Sequence, residues 1–135
     1  MEMEITFSGN ARVDANFGGF SLKTDQPAPS GDGSAPTPFA TFLASIGTCA
    51  GIYVLGFCQQ RNIPTDNIKI IQRMQSDRLT GLIGQIDLDI QLPPDFPEKY
   101  RAAVIRSAEQ CAVKKHLENP PRFKVFTSTH EAALA

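Results

Sequence analysis

The chain has 135 residues with 13 Lys and Arg, 14 Asp and Glu and a hydrophobic fraction of 41%, an ordinary globular balance that excludes general disorder. A net charge of −1 without a basic run to track a phosphate backbone argues against nucleic acid as a partner. One domain over residues 1–135 is expected, and a chain this long buries about two-thirds of its unfolded surface, so it needs neither a structural metal nor disulfide staples.

The first residues, Met1-Glu2-Met3-Glu4, are acidic where a targeting peptide is basic, and no apolar segment follows, so a cytoplasmic protein is expected. Residues 3–8 and 11–24 alternate in the manner of strands, through Ile5 and Phe7 and then Val13, Ala15 and Phe17, with Gly18-Gly19 before Phe20 and Leu22. This pattern predicts an antiparallel meander. From Pro27 to Pro38 the composition turns to Pro, Gly, Ser and Asp, the chemistry of a loop. Two readings of it stay open, a lid over a site and a plain connection.

Thr37 before Pro38 is a helix start, a capping hydroxyl followed by proline at the first helical position, and the helix is expected to run to about Arg61. No charge falls between Asp32 and Arg61, and apolar residues such as Phe39, Phe42, Ile46, Ile52 and Phe57 point all round it. It is therefore expected to be buried on nearly every side. A membrane span is the rival reading on length, but Thr41, Ser45, Thr48 and three glycines disfavour it, so no membrane association is expected.

Asn62-Ile63-Pro64 ends this helix, and strands at 67–79 and 82–92 follow, joined at Gly81 as a hairpin. Residues 98–117 carry a helical stripe through Arg101, Val104, Ile105, Ala108, Cys111, Ala112 and Lys115, which Asn119-Pro120-Pro121 stops. A last strand is expected from Phe123 to Ser128. The predicted fold class is α+β in the order βββ-α-ββ-α-β, mostly antiparallel.

Three cysteines leave at least one thiol unpaired within a chain, and a free cysteine is most often an inert, buried small side chain. Cys49 and Cys58 are nine residues apart on one helix, about 900° of rotation and about 13.5 Å of rise, too far for a disulfide between them. Glycines on both sides of Cys49 remove bulk and would let a backbone or a small substrate approach the sulfur, whereas Cys58 between Phe57 and Gln59 reads as filler. Cys111, on the apolar stripe, points toward what that helix packs against, and the buried first helix is the candidate. His116 and His130 have no second ligand near in sequence, so neither a metal nor a cofactor is expected.

The stretch Pro36-Thr37-Pro38-Phe39 through Leu43-Ala44-Ser45-Ile46-Gly47-Thr48-Cys49-Ala50-Gly51-Ile52-Tyr53, with Ala108-Glu109-Gln110-Cys111-Ala112-Val113 further on, resembles the OsmC/Ohr family of thiol peroxidases over nearly the whole chain. The resemblance implies an intertwined homodimer whose central helices are wrapped by the sheets. It implies Cys49 as the peroxidatic cysteine and Cys111 as the resolving one, with an organic hydroperoxide as substrate and a dithiol as reductant. The family usually carries an arginine in the N-terminal Gly-rich turn and a glutamate just after the helix-start proline. Here that turn is Phe17-Gly18-Gly19-Phe20, and Phe39 stands at the glutamate position.

A nucleophilic cysteine needs its thiolate, and at an unperturbed pKa of about 8.5 only about 3% is ionised at pH 7. Cys49 lies about 16 Å beyond Pro38, out of reach of the helix N-terminus, so a cationic side chain is expected to supply the potential. Arg12, Lys23, Lys114 and Lys115 are the candidates for this support. Two function classes stand, a thiol-dependent peroxidase and a non-enzymatic relative whose Cys49 and Cys111 line a redox-sensing or small-molecule pocket.

Overall fold

A computed structural model describes residues 1–130; the expected domain also takes in 131–135, which lie outside the described residues. The N-terminal alternation folds as β1 (Glu4–Gly9), β2 (Arg12–Phe17) and β3 (Phe20–Thr24), an antiparallel sheet in sequence order. Gly18 and Gly19 both have positive φ, 54° and 81°, which is what a two-residue turn needs to match the twist of the strands it joins. Phe17 and Phe20 close the hairpin across that turn.

The helix α1 (Pro38–Gln60) begins as its residues predict, with the Thr37 hydroxyl accepting the Ala40 N–H at 3.1 Å. At its end, Asn62 takes φ of +54° while Ile63 N–H donates to the Cys58 carbonyl and Asn62 N–H to that of Gln59. Those two bonds satisfy carbonyls that the last turn would leave orphaned. The Arg61 guanidinium folds back over the Phe57 ring at 3.7 Å and donates to its carbonyl, and Phe57 meets Tyr100 edge-on at 5.7 Å.

Strands β4 (Lys69–Ser76) and β5 (Ile83–Gln91) form the second antiparallel sheet. Their turn is held by the Asp77 carboxylate, which accepts the Leu79 and Thr80 N–H groups, and by Gly81 at φ +73°. The core gathers Ala50, Val54, Phe57 and Cys58 of α1 with Phe96, Val104 and Ala108, and β4 and β5 flank it through Ile70, Leu88 and Ile90. None of these core residues comes from β1, β2 or β3.

Three expectations are corrected. The helix expected over 98–117 is two: a 3-10 turn at Glu98–Tyr100 leads into α2 (Arg101–Ala108), and α3 (Ala112–Glu118) follows a break. Cys111 causes the break, since its ψ of 124° leaves the helical region and its sulfur accepts the Lys114 N–H at 3.4 Å, so it caps a new helix instead of continuing the old one. The strand expected over Phe123–Ser128 is absent, and Phe123 and Val125 are 88% and 95% exposed, because a strand needs a neighbouring backbone and none of the described sheet edges pairs with it. The order is therefore βββ-α-ββ-α-α. Finally, α1 buries one stripe within this chain, Ile46, Ala50, Val54, Phe57 and Cys58, and leaves Phe39 and Ile52 each 58% exposed. It has the length and composition of a membrane span, yet it is the helix on which α2 and α3 pack.

Candidate active site

Cys49 lies on α1 one position before the buried Ala50 and is half-buried, whereas Cys111, capping α3, is 1% exposed. The packing of α2 and α3 along α1 brings these two thiols close enough for each to shift the other's pKa. A clamp from Ser107 Oγ to the Tyr53 carbonyl, at 3.1 Å, ties α2 to α1 one turn beyond Cys49.

The two thiols are not equivalent. The Val113 backbone N–H lowers the Cys49 pKa most, with help from the Cys111 thiol and the Ala112 N–H and against the opposing effect of burial. Cys111 is pushed up, chiefly by burial, and also by donating its proton to Cys49 and by the negative charge that Cys49 carries when ionised; the Lys114 N–H opposes this. The Cys111 sulfur also lies 3.9 Å from the Ile46 carbonyl. The arrangement stabilises one thiolate and keeps the second sulfur protonated beside it.

The four cations lie elsewhere or contribute nothing resolved to this balance. Arg12 pairs with Asp32 at 2.7 Å and Lys23 with the buried Asp14 at 3.4 Å, both on the N-terminal sheet. Lys114 approaches Glu118 at 4.0 Å, and Lys115 is exposed on α3. The groups that lower Cys49 are backbone amides and a thiol. Sequence reasoning missed them because every residue carries an amide; only the break at Cys111 turns those of Ala112 and Val113 toward the sulfur. No sequence signal marks that break, since neither Gly nor Pro occurs at 109–111.

The glycines beside Cys49 serve packing. A Cβ on Gly47 would stand 2.5 Å from Gln72 Oε1, and one on Gly51 would meet Ile70, so of the two readings, a neighbouring backbone or a small substrate, it is strand β4 that takes up the space. Gln72 Nε2 then donates to the Leu43 carbonyl at 2.9 Å, fixing β4 against α1. Cys58 sits fully buried in the core, its thiol pushed up by burial and only partly drawn back by Arg61. Phe39 stacks on Phe42 at 5.9 Å. His116 Nδ1 contacts the Ala112 carbonyl at 2.7 Å, and among the described residues no group of three His, Cys, Asp or Glu side chains gathers to hold a metal.

The loop from Gln26 to Pro36 is pinned by Asp25. This fully buried carboxylate accepts the Ser34 hydroxyl at 2.5 Å and the N–H groups of Ser34 and Gln26, which lower its pKa to about 2. Asp32, further along, accepts from Arg12 and Asn10 and ties the loop to the β1–β2 turn.

The family model for OsmC-like protein matches residues 31–126. A structure from Psychrobacter arcticus, named for osmotic stress induction and a detoxification response, is 17% identical, with TM-score 0.69 over 84% of this chain and 85% of that one. An OsmC-like protein of unknown function from Vibrio cholerae is 11% identical, with TM-score 0.60 over 87% and 92%. The organic hydroperoxide resistance protein OhrB of Bacillus subtilis is 18% identical, with TM-score 0.51 over 89% and 93%. No curated relative matches the sequence.

Proposed function

The chain belongs to the OsmC-like protein family, and from that premise we propose that it is a thiol-dependent reductase of organic hydroperoxides acting in oxidative stress defence. The observation that carries the reading is the closeness of Cys49 and Cys111 where α3 packs on α1, which favours one sulfur as thiolate and the other as thiol. The Cys49 thiolate attacks the distal peroxide oxygen, the O–O bond breaks, and the alkoxide takes a proton and leaves as the alcohol. The Cys111 sulfur then attacks the Cys49 sulfenic acid, its proton leaves with the hydroxyl as water, and a disulfide joins the two residues. A dithiol reductant restores both thiols. The Bacillus subtilis neighbour is named for organic hydroperoxide resistance, which supports the same chemistry.

The working form is a cytoplasmic, intertwined homodimer. Supporting this are apolar surfaces too extensive for a chain that works alone: Phe7 and Phe20 on the N-terminal sheet, Phe39 and Ile52 on α1, Phe123 and Val125 beyond α3. A second copy covers them, and its sheet edges offer residues 123–128 the backbone partner they lack in one chain.

The test is to treat the reduced protein with one equivalent of cumene hydroperoxide and map disulfides by peptide mass spectrometry. A Cys49–Cys111 disulfide is expected, with consumption of peroxide abolished in Cys49→Ser and retained in Cys58→Ala. Both cysteines remaining reduced would overturn the reading in favour of a non-enzymatic sensor or binding protein, which the absence of the family's arginine and glutamate favours.

A further inference from the structure

Strand β5 pairs with β4 along one side only, and its other side borders a cleft of about 730 Å³ that runs toward α2 and α3. Ile86, Asp87, Leu88, Asp89 and Ile90 all line this cleft. Successive strand residues point to opposite faces, so the cleft meets β5 along its backbone edge. Val104 and Ile105 of α2 and Leu117 of α3 make the far wall, with Ile105 and Leu117 half exposed. The charge on the lining leans acidic. Arg101 is paired with Glu98 and Lys114 approaches Glu118, whereas Asp87 and Glu109 have no ion pair among the described residues.

A segment of the same chain carries the complementary pattern. In Arg122-Phe123-Lys124-Val125-Phe126, cations alternate with apolar residues, and Phe123, Val125 and Phe126 are exposed. Lys124 Nζ stands 5.3 Å from the Phe126 ring centre, which puts alternate side chains on one side as in a strand. Among the described residues, 122–128 make no backbone hydrogen bond. An unpaired strand edge and an unpaired extended segment thus occur in one chain.

We infer that residues 122–128 of a second copy add to the outer edge of β5 as a third strand. The inference rests on the dimer proposed above and names the edge at which the copies join. Phe123 and Val125 enter the cleft beside Leu88 and Ile90, while Arg122 and Lys124, on the opposite face, meet Asp87 and Asp89. The alternation of side chains along both strands satisfies the two matches at once. Cys111 shares the cleft lining, so the second copy's strand completes a wall of the cysteine site.

Other occupants fit less well. The free edge of β1 brings Glu4, with Glu2 just before it, to an acidic border, and like charges on adjacent strands repel. Lys23, the one cation of β3, is committed to Asp14. The chain's own segment leaves α3 through Asn119-Pro120-Pro121, directly after Leu117 on the cleft wall. Two consecutive prolines hold an extended course there, whereas lying along β5 of the same chain requires a reversal.

The test is the double variant Ile105→Cys with Val125→Cys, both at exposed positions. It is oxidised with copper phenanthroline at micromolar concentration, separated on a denaturing gel without reductant, and mapped by peptide mass spectrometry, which tells the new bond from any made by the native cysteines. A disulfide between positions 105 and 125 is expected in the species of twice the chain mass. The same bond in the species of single mass assigns the cleft to the chain's own segment and overturns the inference. Light scattering separates the two readings: a dimer without the 105–125 bond overturns this strand placement alone, and a monomer overturns the dimer with it. Lys124→Glu and Asp87→Lys are each expected to raise the dimer dissociation constant about tenfold, and the two together to restore it to within about threefold. Additive weakening in the pair overturns the charge match.

Discussion

Cys49 and Cys111 stand close enough to move each other's pKa in opposite directions, the Cys111 thiol lowering Cys49 and Cys49 raising Cys111. Removing the donor should therefore act on Cys49. In Cys111→Ala the Cys49 pKa is expected to rise, and in Cys111→Ser, which keeps a hydroxyl donor, to rise less. In the wild type, alkylation of Cys49 should rise with pH through a midpoint below the ordinary thiol value of about 8.5, because a lowered pKa brings the thiolate in at lower pH. Rates of iodoacetamide labelling of Cys49 across pH 5 to 10 check both statements; a wild-type midpoint at or above the ordinary thiol value would contradict the amide and thiol stabilisation.

The exposed faces of α1 and of the N-terminal sheet predict the oligomeric state. Light scattering on dilute protein should return twice the chain mass, and Ile52→Asp, on the exposed side of α1, should shift it toward the monomer. A wild type that stays monomeric at micromolar concentration would remove the dimer from the proposal.

Asp25 gives an acid limb to stability. Its carboxyl is held at about 2 in the fold, first by the Ser34 hydroxyl and then by the Ser34 and Gln26 amides. A folded pKa below the unfolded value of about 3.9 means that the stabilisation is fully present above pH 4 and is lost as pH falls toward 2. Asp25→Asn should lower the melting temperature at pH 7 and flatten its fall between pH 4 and 2, measured by circular dichroism. An unchanged slope in that window would assign acid unfolding to other groups.

Thr37 makes a simpler prediction. Its hydroxyl caps α1 through the Ala40 N–H, so Thr37→Ala should cost about 1 kcal/mol in urea unfolding, while Thr37→Ser should restore most of it. Because Cys49 is three turns further along α1, cumene hydroperoxide consumption per folded molecule should be unchanged.

Much of the fold was legible in local pattern. Alternation marked the strands of both sheets, Thr37-Pro38 and Asn62 marked the two ends of α1, and Gly81 the hairpin turn, because each depends on groups within a few residues of one another. The order of the two cysteines in their contexts identified the family as well. What supports Cys49 was not legible. Sequence reasoning looked for a cation, and Arg12 and Lys23 are instead committed to Asp32 and Asp14. The groups that lower Cys49 are the amides of Ala112 and Val113, turned toward it by a break at Cys111 that no Gly or Pro announces. The use of Gly47 was equally hidden, since a glycine opens space without saying which side chain fills it, and Gln72 does so from a strand that comes later in the chain. Dihedral preferences and hydrophobic period act over one or two turns and can be read along the chain. Which amide faces which sulfur depends on how α3 packs against α1, and residues 123–128 stay without a ladder because a strand exists only where another backbone lies beside it.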